Sequence, residues 1–509
     1  MNTENNQASE DAPVIGQKNN PLRQEKMNKL GKLKEMGIDP YPHNFDKQDN
    51  LVDLPPKIAH LEAGEKAPEM KVKVAGRLMT KRPMGKAAFF NIQDEDGSMQ
   101  VYLRKADIPE AAAKAFEEID IGDIVGITGS LFKTKKGEPS IVAGDFQILC
   151  KTLEPLPEKH HGLADKELRY RYRHLDLVMN PEVREVFKIR SKVISSIRKF
   201  LDSKGFMEVE TPTLQPIYGG AAAYPFSTHH RALDMKLFLK ISPELYLKRL
   251  IVGGFEKVYE IGKNFRNEGI DRTHNPEFTM LEYYEAYTDY EYQMKQFEDI
   301  VAFCAKEVTG STIVEFDGKK LDLTPPWNRL TVYDGIKKYA DGLDVTEKSP
   351  AELLELVKKF DPKYDGAETH GHLTMELFDH HVEHHIWEPT FITDYPHEIS
   401  PLTKSHRTNP KLVERFEPIC AGMEIGNSYT ELNDPVEQRD RLMAQEALRV
   451  IDEEAQPMDE DFLHAIDVGM PPTGGVGIGI ERVVMLITGQ SSIRDILLFP
   501  TMKPKKSSN

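Results

Sequence analysis

Cysteine is scarce in this chain of 509 residues: Cys150, Cys304 and Cys420 make an odd number without C-x-x-C spacing. That excludes a disulfide framework and a cysteine-built zinc site, and it fits a reducing compartment. Long apolar runs are missing too. Aliphatic stretches such as Leu250 to Val252 or Val483 to Ile487 end within a few residues at glycine or charge, far short of the roughly twenty apolar residues a spanning helix needs. Positive charge is in deficit: 66 lysines and arginines face 82 aspartates and glutamates, a net charge of -16. The surface as a whole is therefore no nucleic-acid footprint, and any such footprint must be local. Residues 1–20 are polar, with neither an apolar core nor a run of arginines, which speaks against a secretory or transit signal. The expectation is a cytoplasmic protein without membrane attachment.

What is present is enough apolar sequence, 39%, for about two to four domains with their own cores. After a leader at 1–20 that reads as disordered, Leu22, Met27, Leu30, Leu33 and Met36 recur near helical spacing among Arg23, Lys26, Lys29, Lys32 and Lys34. They predict one basic amphipathic helix, docked on its own domain or serving as a tRNA-binding arm. Five strand-like runs follow, at 72–78, 89–93, 99–103, 124–131 and 141–149, with a helical stretch near 111–118 before the fourth. That order predicts a small closed barrel of the OB type inside a first domain at 21–152. Between positions 71 and 105, eight basic side chains meet only Asp94, Glu95 and Asp96, a local excess of +5. Single-stranded nucleic acid is the natural partner, with Phe89 as a stacking face and Gln100 as a base-edge reader, although Phe89 or Phe90 must also fill the barrel.

A linker at 153–180 leads to a larger unit at 181–505 and a tail at 506–509. The unit opens with a helix from about Pro181 to Ser203, stopped by Gly205, and a strand Phe206 to Thr211 ended by Pro212. Further strands are expected at 236–241, 257–267, 276–285, 415–433 and 475–480, and a mostly helical insertion at about 330–390.

Three groups of residues in this unit carry chemistry. Arg266 and Glu268 lie two apart on one expected strand, and Phe278, Met280, Glu282 and Tyr284 lie two apart on another, so each set projects from one face. A hairpin with its tip near Arg272 brings the faces together. An arginine there suits a phosphate and a phenylalanine suits a purine, although a surface ion pair and a core phenylalanine would look the same. A reversal at Ala421-Gly422 makes Glu417 and Glu424 cross-strand neighbours, which repel unless a cation such as Mg2+ intervenes; solvated surface acids are the other reading. Beyond them Asn427, Tyr429 and Glu431 share a face, with Glu424 out of phase, so an irregularity is expected near Gly426. Finally, Gly475, Gly477 and Gly479 precede a helical run from Glu481. Ile480 stands where a dinucleotide fingerprint needs its third glycine, so the run reads instead as a strand permitting close backbone approach, with Arg482 able to reach a terminal phosphate.

Taken in order, Gly205–Pro212, Asn264–Glu268 with Asn275–Glu282, and Gly475–Arg482 resemble motifs 1, 2 and 3 of class II aminoacyl-tRNA synthetases. With the OB-like domain and the connecting text His161-Gly162-Leu163 through Arg169-Tyr170-Arg171 to Leu175-Asp176-Leu177, the chain is similar to the subgroup that charges lysine, aspartate or asparagine, over about residues 22 to 504. The resemblance implies an α+β fold: an N-terminal five-stranded OB-fold β-barrel that binds the anticodon through Arg77, Phe89 and Gln100, and a class II catalytic domain with an antiparallel sheet flanked by helices. It implies that Arg266 and Arg482 are catalytic and that Arg266, Glu268, His274, Phe278 and Arg482 bind ATP. Glu417 and Glu424 are implied to hold Mg2+ with the nucleotide. By resemblance to lysine-charging members, Gly220 with Gly219, Glu244, Arg266, Glu282, Tyr284, Asn427 and Glu431 bind L-lysine, Glu431 and Tyr284 at its ε-ammonium. A buried carboxylate there rejects neutral side chains, whereas an aspartate or asparagine pocket needs a cationic donor. The implied partners are ATP, L-lysine and tRNA(Lys), and the implied assembly is a homodimer with Pro212 near its interface.

Other readings are weaker. His380-His381-Val382-Glu383-His384, with His385, matches H-x-x-E-H, but it lies in the helical insertion with no partner acid. Gly85-Lys86, Gly262-Lys263 and Gly318-Lys319 have no Ser or Thr after the lysine and fail as phosphate loops. A ligase that lysylates a protein would not need the basic barrel, and a catalytically dead tRNA binder would not need Arg266, Glu417, Glu424 and Arg482 together.

Overall fold

The computed structural model describes residues 20–157, 163–449 and 456–504. The expected leader up to residue 19, the His161-Gly162 step and the tail 506–509 fall outside them. Two compact units divide the chain, Met1–Arg169 with His174–Pro181, and Tyr170–Arg173 with Glu182–Asn509.

In the first unit Asn20 caps the helix Pro21–Glu35 by accepting from the Leu22 N–H at 2.9 Å. Leu30 and Leu33 are buried, and two of the basic side chains turn inward. Lys26 Nζ donates to the Ile121 carbonyl at 3.1 Å and to Thr152 Oγ1 at 2.9 Å, and Lys29 pairs with Asp120 at 2.5 Å. Those contacts dock the helix on its own domain. Five strands follow: β1 (Lys66–Met84), β2 (Ala87–Gln93), β3 (Ser98–Arg104), β4 (Ile124–Lys133) and β5 (Pro139–Cys150), with the helix Glu110–Glu117 before β4. Alternating side chains such as Phe90, Ile92, Val101 and Leu103 are fully buried. The strands pair in the order β1-β2-β3-β5-β4, with β4 also on β1. The β3–β5 seam is parallel and only three residue pairs long, from Gln100↔Ser140 to Tyr102↔Val142.

The described residues of the second unit form fourteen strands: β6 (Met207–Glu208), β7 (Leu214–Gln215), β8 (Ser227–His230), β9 (Met235–Leu239), β10 (Lys257–Phe265), β11 (Glu277–Ala286), β12 (Ile313–Phe316), β13 (Lys319–Asp322), β14 (Asn328–Thr331), β15 (Thr390–Pro396), β16 (Leu412–Cys420), β17 (Met423–Glu424), β18 (Gly426–Thr430) and β19 (Thr473–Gly479). Nine form one sheet in the order β14-β15-β16-β18-β19-β11-β10-β6, with β17 paired to β16. Here the expected fold class is corrected. The sheet is mixed rather than antiparallel, because β6 runs parallel to β10 and β14 parallel to β15. Both exceptions are chain entries: β6 arrives from the helix Glu182–Ser203, and β14 and β15 are joined through the helical insertion. Such long crossovers are what parallel pairing requires. The motif 1 strand is also shorter than expected, two residues instead of six.

One face of this sheet is apolar. Tyr259, Leu281, Tyr283, Val476 and Ile478 pack on Val193, Ile197 and Leu201 of the helix Glu182–Ser203, Phe297 and Val301 of Tyr290–Thr309, and Val484 and Leu486 of Ile480–Thr488. Truncating a buried anchor such as Phe297 to alanine costs about 3–5 kcal/mol by the usual cavity penalty. Side chains one residue out of phase, from Glu282 to Tyr429, point the other way and line a cleft. The same core is locked by one ion pair: Arg190 lies 2.7 Å from Glu481, whose carboxylate accepts the Thr279 N–H at 2.9 Å. The three motif segments are thereby tied together.

Candidate active site

The cleft measures about 360 Å³. Its floor is bare backbone. Gly477 of β19 lies between Glu282 of β11 and Asn427 of β18, and Gly475 lies between Tyr284 and Tyr429. Glycine is required at Gly475: an added Cβ would stand 2.0 Å from Glu431 Oε1 and 2.5 Å from Tyr284 Cε1. Gly220, at φ +84, lines the wall beside Glu244 and Ser242, where a Cβ would come within 2.9 Å of Glu244 Cβ and Ser242 Oγ.

Carboxylates gather at the inner end. Glu282 accepts from Ser242 Oγ at 2.7 Å and from the Tyr284 hydroxyl at 3.0 Å. Burial, with Glu244 nearby, pushes its pKa up to about 8. Glu244 accepts from the Tyr429 hydroxyl at 2.7 Å. Glu431 is fully buried and lies behind the cleft wall, over Gly475, rather than in it. Its pKa is driven upward by burial, and Lys248 opposes that shift.

Cations gather at the outer end. Arg266 stands 5.2 Å from the half-buried Phe278 ring, and its buried Nε has no hydrogen-bond partner among the described residues. Burial lowers the Arg266 pKa, against the pull of Glu268, Glu424 and Glu282. Arg482 reaches Glu424 at 3.1 Å and His274 at 3.2 Å. His274 is held by Asp271 at 2.7 Å. Burial opposes it, yet the Thr273 and His274 backbone N–H groups and the His274 ring bring Asp271 down to about 2.

Two local expectations are corrected. Arg266 and Glu268 are not on a strand, since β10 ends at Phe265; the Arg266 N–H bonds the Pro276 carbonyl at 2.9 Å and Glu268 lies exposed beyond it. The turn at Ala421-Gly422 puts Ile419, not Glu417, opposite Glu424. Glu417 and Glu424 are diagonal neighbours, and burial, then Glu424, raise the Glu417 pKa against Arg415 and Tyr395. Between Ile419↔Glu424 and Phe416↔Ser428 one extra residue enters the second strand, an irregularity at Ile425 that turns Asn427 and Tyr429 to the cleft.

The donors suit a hard cation carried by a ligand. Glu417 is fixed by Tyr395 at 2.7 Å and by Arg415, and Glu424 by Arg482. Among the described residues no group of three or more His, Cys, Asp or Glu is arranged to hold a metal ion by itself. Two carboxylates leave most of an octahedron to phosphate oxygens and water, which is how magnesium is ordinarily held. In the insertion, the His380 ring stacks on Phe360 at 3.8 Å and His385 on Tyr339 at 5.4 Å.

Residues that the sequence reading passed over are Lys248, Ser242, Arg415 and the hydroxyl of Tyr429. Lys248 carried a signal, its spacing of four from Glu244 on a helix, but that spacing is also the commonest exposed ion pair.

On the barrel, Phe89 faces Tyr102 across β2 and β3 with ring centroids 4.9 Å apart, and Asn91 faces Gln100. Gln100 accepts from Ser140 Oγ at 3.1 Å, and Arg77 donates to the Gly122 carbonyl at 2.8 Å. The basic excess is partly used internally: Arg104 pairs with Asp107, Lys105 with Glu117, and Lys81 donates to the Phe116 and Ile119 carbonyls. Lys71, Arg82 and Lys86 remain exposed.

Residues 165–503 match the family model for class II tRNA synthetases (D, K and N), and residues 72–149 match an OB-fold nucleic acid binding domain. The chain belongs to this class II family. Within it, the lysine–tRNA ligase of Moorella thermoacetica is 50% identical over 492 residues, covering 96% of this chain and 99% of that protein. The lysine–tRNA ligases of Thermoanaerobacter sp. (strain X514) and Clostridium novyi are each 50% identical over 96% of this chain, covering 97% and 95% of theirs.

Proposed function

We propose that the cleft activates lysine with ATP and passes the lysyl group to tRNA, with the residue roles given below. The chain is an ATP-dependent ligase that joins lysine to tRNA. Lysine and ATP give lysyl-adenylate and pyrophosphate, and a hydroxyl of the terminal ribose of tRNA then takes the lysyl group. The lysine carboxylate is already ionised at neutral pH, so the first step needs no general base, only in-line placement and neutralised phosphate charge.

The observation that carries the residue assignment is the polarity of the cleft, with Glu244 and Glu282 at one end, Glu431 behind the wall at Gly475, and Arg266, His274 and Arg482 at the other end. The lysine ammonium groups belong with the carboxylates: the ε-ammonium with Glu431 and Tyr284, the α-amino group with Glu244, Glu282 and the Gly219-Gly220 backbone. Arg266 spans the lysine carboxylate and the α-phosphate, and Asn427 helps hold the former. Phe278 stacks on adenine, Glu268 meets its edge, and His274 with Arg482 receives the distal phosphates. Glu417 and Glu424 would hold Mg2+ bound with ATP, which supplies charge neutralisation to the phosphates. On the barrel, Arg77, Phe89 and Gln100 read the anticodon; the outward Phe89–Tyr102 pair supports this.

A homodimer is supported by the exposed apolar side chains around motif 1, Met207, Leu214, Ile217 and Phe255, beside the edge strand β6. Sedimentation should give a dimer at micromolar concentration; a monomer overturns that part. A cytoplasmic location follows from where tRNA is charged. Among the described residues no helix is long and apolar enough to cross a membrane, and none is expected to attach to one.

The test of the whole reading is amino-acid-dependent exchange of pyrophosphate into ATP with magnesium and no tRNA. Exchange is expected with lysine and not with aspartate or asparagine; exchange with either of those would show the pocket misassigned.

A further inference from the structure

One charged group in the second unit has no part in the scheme above. Lys248 is fully buried, yet it lies one helical turn from Glu244 on the helix Glu244–Val252. Its Nζ stands 2.6 Å from Glu244 Oε1 and forms an ion pair with Glu431. Aromatic faces enclose it, Tyr429 at 5.6 Å and Phe462 at 5.9 Å. Two carboxylates reserved for an ammonium ligand therefore share an ammonium of the protein's own, out of reach of solvent.

The placement has an electrostatic consequence: an ammonium enclosed between Glu244 and Glu431 offsets the repulsion of two carboxylates buried side by side. Without Lys248, two neighbouring buried carboxylates would repel, and one would take up a proton. Burial already pushes Glu431 upward, and Lys248 opposes it. For Lys248 burial works downward, but Glu244 and Glu431 outweigh it and raise its pKa, so it stays an ammonium.

We propose that Lys248 is a positioning residue that sets amino-acid specificity: enclosed between Glu244 and Glu431, it holds both carboxylates in place and aimed at the ammonium groups of the substrate. The idea rests on the lysine reading of the pocket. A neutralised Glu431 would serve as an ordinary hydrogen-bonding group and tolerate an uncharged side chain, so discrimination is lost before binding itself. Lys248 does not touch the substrate; it acts through Glu431.

The test uses the full-length chain with Lys248→Met and Lys248→Arg. Dissociation constants for lysine and norleucine are measured by calorimetry, with the KM for ATP alongside. The ratio of lysine to norleucine affinity should fall about tenfold or more in Lys248→Met, with the ATP KM unchanged, and should be largely kept in Lys248→Arg. A purely structural role would weaken both ligands and leave the ratio where it was, which would overturn the proposal. Tighter lysine binding by Lys248→Met would also overturn it, since Lys248 would then be competing with the substrate for Glu431. Should Lys248→Met not fold, Lys248→Gln against Lys248→Arg carries the same comparison, and equal ratios refute it. Absence of lysine binding by the unaltered chain would instead refute the lysine reading.

Discussion

Arg482 Nη2 and His274 Nε2 stand 3.2 Å apart, one on the helix after the glycine strand and the other in the segment joining β10 to β11. With its Nδ1–H given to Asp271, the imidazole presents Nε2 as the acceptor for the guanidinium. Asp271 holds the imidazole from behind and Glu424 holds the guanidinium from the side. A guanidinium held on two sides at the cleft wall, beside an imidazole, suits an anion with several oxygens.

Arg482→Ala should therefore lower the rate of lysine-dependent pyrophosphate exchange by about 10²–10³, the scale for losing one donor to developing charge. The thermal midpoint should stay near that of the unaltered chain, because Arg482 is outside the core. An exchange rate close to the original would remove Arg482 from the phosphate site.

Glu282 supplies a pH-dependent signature. Its pKa in the folded protein is raised to about 8 by burial and by Glu244. Between the ordinary carboxyl value and about 8 the folded state holds a proton that the unfolded chain has released, so this group's contribution lowers stability as pH rises across that window. A substrate ammonium placed against Glu282 would draw its pKa down again. Lysine binding near pH 7 should accordingly release a proton, seen as a dependence of binding heat on the ionisation enthalpy of the buffer. Glu282→Gln should abolish that release; an unchanged release would assign the proton elsewhere.

The glycines of β19 differ in consequence. Gly475→Ala places its Cβ 2.0 Å from Glu431 Oε1, so it should cost about 1–3 kcal/mol in stability by overpacking and raise the lysine KM more than about tenfold. At Gly479 the nearest atoms to an added Cβ are 3.8 and 3.9 Å away, and Gly479→Ala should melt where the parent does. Denaturant titrations of both variants decide this; equal destabilisation would show that the strand needs glycine for its backbone rather than for the pocket.

Phe89→Ala addresses the barrel. Losing one base stack should weaken tRNA binding by about 1–3 kcal/mol while lysine-dependent pyrophosphate exchange is unaffected. The ring is only half-buried, against Tyr102, so the barrel core, built on Phe90 and Ile92, should survive. Equal loss of both activities would remove Phe89 from tRNA recognition.

Periodicity and punctuation were enough to locate most elements. Alternation of buried and open positions marks β2 and β3, and Gly205 ends the motif 1 helix where the sequence says it should. Phe278, Glu282 and Tyr284 are legible because a strand sends alternate residues to one face. Chain direction between distant strands is not written in any local pattern, which is why the parallel pairs β6–β10 and β14–β15 were missed. Strand ends are equally illegible, as the two-residue β6 and the loop position of Arg266 show. The Glu417–Glu424 register failed for a related reason: the reversal falls at Ala421-Gly422, pairing Cys420 with Met423 and Ile419 with Glu424, and a one-residue change in where a turn sits leaves composition unchanged.

The sequence by itself determined the residue types, their order and their local spacing, and with them the chemistry the cleft can offer: glycines where backbone comes close, guanidinium groups and carboxylates. Only the tertiary structure decided how charge is shared among them. Lys248 on its helix and Glu431 after β18 are separated by more than half the catalytic unit in sequence, yet they meet in a sealed space where each fixes the state of the other. Coulomb interaction depends on distance and on the surrounding medium, and both are set when the chain packs.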